Sequence, residues 1–162
     1  MKVLGVDPGS RAMGYGVLRQ SGGRFEHLDH GVVRPPGDDL TDRLKVLYDA
    51  LCELLTAHRP EAVAIEDVFQ LRNARAAFVL AHARAAAVLA AANHGIRVFS
   101  YAPAQVKKAV TGTGRADKHQ VAEMIKLLLS LDKAPPLDAA DALAVAVCHS
   151  MRAPALARGA AR

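Results

Sequence analysis

Apolar positions along the chain fall into short strand-like runs and longer stretches of helical period. Val3 to Val6 is a compact apolar run closed by Asp7-Pro8-Gly9, the pattern of a buried strand entering a tight turn. Met13 to Arg19 and Phe25 to Val33 are two further strand segments. They flank Ser21-Gly22-Gly23, whose glycines supply the positive φ of a hairpin turn. Leu40, Leu44, Leu47, Leu51, Leu54 and Leu55 then recur at helical spacing, with Asp39 and Asp42 at the start and Pro60 past the end, which predicts an amphipathic helix. Ala62 to Ile65 is a strand ending in acid at Glu66. An alanine-rich helix to Asn93, a Gly95 stop and a strand from Arg97 to Tyr101 follow. Strand, helix and strand in that order form a crossover unit and predict parallel pairing.

Beyond Tyr101 the pattern predicts a polar loop with Gly112 and Gly114, then a helix from Ala116 to Leu131. A break at Pro135-Pro136 and a helix from Asp138 to His149 complete it. The expected architecture is α/β, a five-stranded mixed sheet flanked by helices, in one domain over residues 1–152 with a disordered tail over 153–162. The length of 162 residues suits one such domain, with a core that needs no disulfide or structural metal.

A formal net charge of +5 and a pI near 9.5 suit a partner rich in phosphates. Aromatic residues are 4% of the chain and tryptophan is absent, so base stacking would fall on very few side chains. The two cysteines, Cys52 and Cys148, sit in apolar helical patterns without CxxC spacing, which predicts buried reduced thiols and a cytoplasmic location. The N-terminus opens on a strand pattern and not on a signal peptide. The apolar tract Ala74 to Ala92 is interrupted by Arg75, His82 and Arg84, which argues for a buried helix and against a membrane span.

Four acids could carry chemistry. Asp7 and Glu66 each stand at the carboxyl end of an apolar strand, where open α/β sheets place functional groups, and adjacent parallel strands would bring them together. Asp138 and Asp141, three apart at a helix start, project from one face. Converging carboxylates repel unless divalent cations neutralise them, and an all-oxygen set suits Mg²⁺ or Mn²⁺ better than zinc. Plainer roles stand beside this one: Asp7 as a turn former, Asp138 as an N-cap, and Asp141 as a partner of the helix dipole. Glu66 has no turn or cap to explain it. The seven histidines show no metal-ligand spacing.

Gly5-Val6-Asp7-Pro8-Gly9-Ser10-Arg11, followed by Gly14-Tyr15-Gly16, resembles the first motif of the RuvC family of Holliday junction resolvases. Ala64-Ile65-Glu66-Asp67-Val68-Phe69 resembles the second. Tyr101-Ala102-Pro103-Ala104-Gln105-Val106-Lys107 and Asp138-Ala139-Ala140-Asp141-Ala142-Leu143-Ala144 continue the likeness in order, so it spans Val3 to His149. The resemblance implies a ribonuclease H-like fold and a homodimeric endonuclease that makes paired nicks in four-way junction DNA. It implies two Mg²⁺ ions, with Mn²⁺ able to substitute, held by Asp7, Glu66, Asp138 and Asp141. It also implies work alongside the RuvA–RuvB branch-migration complex. Asp67 stands where the family often carries an amide, and strand alternation turns it away from Glu66.

Lys107, Lys108, Arg115, Lys118 and His119 cluster around the Gly112–Gly114 segment. The likeness assigns Lys107 and Lys118 phosphate contact or transition-state support, against the plainer reading of a solvated basic loop. Arg72 and Arg75, at the start of the alanine-rich helix, and Lys108 and Arg115 are candidates to track a DNA backbone. Phe69, three residues after Glu66, is a candidate to stack on an unpaired base, or else an apolar anchor. Ribonuclease H-like nucleases acting on RNA, such as YqgF-type relatives, are the nearest alternative. Actin-like ATPases need two such domains, and a silent junction-binding module would not require four acids.

Overall fold

The computed structural model describes residues 1–67 and 73–159. In chain order the elements are β1 (Lys2–Asp7), β2 (Met13–Ser21), β3 (Arg24–Val33), α1 (Leu40–His58), β4 (Ala62–Glu66), α2 (Ala74–Asn93), β5 (Arg97–Tyr101), α3 (Pro103–Thr111), α4 (Lys118–Leu128) and α5 (Leu137–Gly159). The strands form one five-stranded sheet in the order β3-β2-β1-β4-β5. β1, β2 and β3 are an antiparallel meander, whereas β1–β4 and β4–β5 pair in parallel, as the crossover pattern predicts. The parallel register Val6↔Ile65 puts the ends of β1 and β4 side by side.

Strand alternation sorts the apolar side chains into two cores. Leu4, Val6, Met13, Val17, Val63 and Ile65 pack on one face with Leu47, Leu51 and Leu55 of α1 and Ala83, Ala87, Ala90 and Ala91 of α2. Val3, Leu18 and Ala64 pack on the other with Leu143 to Cys148 of α5 and with Val106, Val121 and Ile125 of α3 and α4. On this second face the sheet carries glycine where α5 crosses it. A Cβ built on Gly14 would lie 1.9 Å from the Asp138 carbonyl oxygen, and one on Gly5 would lie 1.9 Å from that of Ala142. The helix backbone therefore rests directly on β1 and β2, a contact that no side chain could share.

Several expectations need correction. The segment after Tyr101, expected as a loop, begins with α3: Pro103 occupies the first helical turn, the Gln105 side chain accepts from the Ala102 N–H at 3.1 Å, and Gly112 ends the helix at φ 79°. The second expected helix is shorter, α4, and starts at the reciprocal bonds between Asp117 and Gln120, both 2.9 Å. The alanine-rich helix α2 is not buried. It packs through its alanine face on α1, while Phe78 is 70% and Leu89 56% exposed. Its length and apolar composition would suit a membrane crossing, but Asn73 caps it and its small residues belong to the domain's core. α5 also runs past the expected end at His149 to Gly159. Cys148 is buried and Cys52 half-buried, and both are free thiols.

Candidate active site

Glu66 closes β4 and Asp7 closes β1, so parallel pairing of these strands brings two carboxylates to the same edge of the sheet. Asp7 is paired with Gly14 across β2, and Gly14 is also the seat of the Asp138 carbonyl. The first turn of α5 is thereby drawn down onto the strand end that carries Asp7. Asp138 lies inside that turn: α5 starts at Leu137, and the Pro136 carbonyl accepts from Ala140 at 2.8 Å. Capping is thus not its role. Asp67 points to the other face, where it pairs with Arg84 at 3.3 Å, as strand alternation predicts.

The four acids feel one another. Burial, followed by the charges of Asp141 and Glu66, pushes the Asp7 carboxyl up to about 7; Asp138 adds to the rise and Lys118 opposes it. Glu66 is raised by burial and then by Asp141, with Lys118 and Lys107 pulling the other way. The Lys118 Nζ lies 3.1 Å from Asp141 Oδ2. Burial disfavours its charge, but Asp141, Asp7 and Asp138 outweigh that and raise it. Among the described residues no three carboxylate, imidazole or thiol groups already stand as a cage for an ion. Instead, a lysine ammonium offsets part of the acid cluster's charge.

The basic candidates divide. Lys118 at the first position of α4 reaches Asp141 at 3.1 Å, whereas Lys107 on α3 makes no ion pair with a described residue and acts on Glu66 only through its charge. Lys108 and Arg115 are exposed, and no ion pair with a described residue holds them. Arg75 is exposed at the start of α2, and with Ser10 and Asn73 it lines a shallow cleft of about 410 Å³. Phe69 and Arg72 lie outside the described residues.

Two features escaped the sequence reading. Gly14 and Gly16 entered it as part of a motif, although glycines inside a strand signal close backbone approach. Arg34, directly after β3, also reaches the cluster: its Nη2 lies 3.8 Å from Asp138 Oδ2. No local pattern marks it, because the contact joins residues far apart in the chain.

The family model described as "Crossover junction endodeoxyribonuclease RuvC" matches residues 3–149. A protein of that name from Tolumonas auensis is 49% identical over 148 residues, 91% of this chain and 86% of the relative. Another, from Myxococcus xanthus, is 54% identical over 152 residues, 92% of this chain and 80% of the relative. The solved structure of Thermus thermophilus RuvC in complex with a Holliday junction substrate superposes with a TM-score of 0.89 at 37% identity, covering 94% of each chain.

Proposed function

Because the chain belongs to the RuvC family, we propose that it is a structure-specific DNA endonuclease that resolves Holliday junctions by paired symmetric nicks, in homologous recombination and repair. The observation that carries this reading is the convergence of Asp7, Glu66, Asp138 and Asp141 at one edge of the sheet, beside Lys107 and Lys118.

The donor set fits Mg²⁺, with Mn²⁺ able to replace it: the clustered ligands are carboxylates, and Asp7 and Glu66 are pushed up first by burial and then by their neighbouring acids, a charge that a divalent cation would offset. When bound by these residues, two such ions would supply charge neutralisation at the scissile phosphate and activation of the attacking water. The chain's own residues do the rest. Asp7 and Glu66 sit on strand ends and fix the floor of the site, while Asp138 and Asp141 close it from the first turn of α5. Lys118 holds Asp141 and, with Lys107, keeps positive charge near the phosphate. Lys108, Arg115, Arg72 and Arg75 are assigned to the flanking backbone, and Phe69 to a base at the crossover.

Paired nicks need two sites, so the working form is an isologous dimer; the exposed Phe78 and Leu89 of α2 offer the apolar surface for it. A cytoplasmic setting and work alongside the RuvA–RuvB complex complete the proposal. The test presents matched four-way DNA, linear duplex and RNA–DNA hybrid with Mg²⁺. Symmetric nicks confined to the junction are expected, and equal cleavage of the hybrid would move the chain to the RNA-directed nucleases. Sedimentation that showed monomer with and without junction would remove the dimer.

A further inference from the structure

β3 runs parallel to β1 across the meander, and the register Met13↔Val33 and Gly14↔Val32 brings its end level with Gly14, the residue opposite Asp7. Arg34 is the next residue, so it stands at the active-site edge on the β3 side of the acids. Lys107 and Lys118 approach from α3 and α4, which pack on α5, and Arg75 from the start of α2. Every basic residue that the sequence reading assigned to DNA thus comes from the chain after β4. The β3 side was left without one.

The Arg34 side chain is 64% exposed, and its one ion pair with a described residue is the 3.8 Å approach to Asp138. That distance is too long for a hydrogen bond. Other surface arginines are held more tightly: Arg11 meets Asp38 at 3.1 Å and Arg19 meets Glu26 at 2.8 Å. A guanidinium offers five N–H donors in a fork that matches phosphate geometry. Here that fork is exposed beside the acid cluster, tethered only loosely to a carboxylate whose charge a bound cation would claim. Each DNA strand carries a phosphate about every 3.4 Å of helix rise, so a strand laid across the acids continues past them on both sides.

We propose that Arg34 is a phosphate-binding residue that grips the DNA backbone on the β3 side of the scissile bond, exchanging Asp138 for a phosphate when the substrate enters. This deepens the proposed junction-nicking function and rests on it. With the β3 side occupied as well as the α3–α4 side, the scissile strand is held at two points, and its phosphate is centred over Asp7 and Glu66 instead of pivoting about one contact.

The experiment measures binding of four-way junction and of linear duplex by fluorescence anisotropy, in an Asp7→Asn background that prevents cleavage, between roughly 50 and 200 mM salt. Arg34→Gln is expected to weaken binding several-fold at the low-salt end and to reduce the slope of log K against log salt by about one. Arg34→Lys should keep the slope, because it keeps the charge. Arg24→Gln, an exposed arginine at the opposite end of β3, should match the parent. An unchanged slope for Arg34→Gln overturns the proposal, even if the same change in the cleaving enzyme slows nicking, since Arg34 would then act on Asp138 alone. A parent protein that bound junction no better than duplex would instead defeat the junction-nicking function, while the slope on duplex still decides Arg34.

Discussion

On the face of the sheet covered by α1 and α2, strands meet helices through side chains: Leu47, Leu51 and Leu55 reach down to Val63, Ile65 and Val17. On the face covered by α5, side chains such as Val3 and Leu18 also pack, but at Gly5 and Gly14 strand and helix meet through backbone, because these glycines leave the Ala142 and Asp138 carbonyls no Cβ to clear. The first face packs as a core and carries none of the four acids. The second brings a helix start close enough to a strand end for acids on both to interact. Side-chain packing tolerates adjustment, since neighbouring rotamers can shift. Backbone against backbone does not, and it fixes Asp138 and Asp141 relative to Asp7 in a way that longer contacts could not.

The largest expected loss of stability is on the plain face. Leu51→Ala removes a 2% exposed side chain and should cost about 2–5 kcal/mol in chemical denaturation. Nicking per folded molecule should persist, and an equal loss of nicking would break the division of labour between the faces.

The acid cluster should leave its mark on pH dependence. The folded-state pKa of Asp7 is raised from 3.8 to about 7, so folded protein holds a proton there that the unfolded chain has already released. Its stabilising contribution is complete below pH 4 and is lost as pH rises through 7. In protein free of divalent cations, stability should therefore fall over that interval by an amount on the order of a few kcal/mol. Asp7→Asn should flatten that part of the fall, abolish nicking and retain junction binding. A parallel decline in the parent and the variant would show that Asp7 does not carry the cluster's charge.

Gly14→Ala should cost about 1–3 kcal/mol or more, because a Cβ 1.9 Å from the Asp138 carbonyl oxygen meets backbone that has no rotamer to shift and forces the first turn of α5 to lift. That lift should separate Asp138 from Asp7 and abolish nicking, a loss out of proportion to the change in stability. Retained nicking would mean that the close approach is not what positions the acids. Smallest of all, Leu51→Met should cost under about 1.5 kcal/mol and leave nicking untouched, since the plain face accepts a change of shape at constant volume.

Much of this was legible along the chain. Apolar runs marked the strands most plainly at β1, β2 and β4, which bury short hydrophobic segments, and the leucine repeat marked α1 because one stripe of it faces the sheet. The four acids were legible as strand ends and a helix start, and the colinear motifs tied them to one family. α3 was missed although Pro103 and Gly112 bracket it and Val106 and Val110 are buried at i, i+4, because so short a helix repeats its apolar spacing only once. α2 was taken as buried because alanine is apolar, yet a residue that small does not reveal which of its faces a neighbour covers. Phe69 and Arg72 lie outside the described residues, so the stacking assignment rests on the family likeness.

The sequence by itself determined which residues are apolar, where the backbone turns and which carboxylates end the strands, since those properties are local to a few neighbouring residues. Tertiary structure alone decided that Gly5 and Gly14 are seats for a helix, that Lys118 lies among the acids, and that Arg34 faces Asp138 across 104 residues of chain. These relations depend on distances set by strand order and helix crossing, and no window of sequence contains both partners.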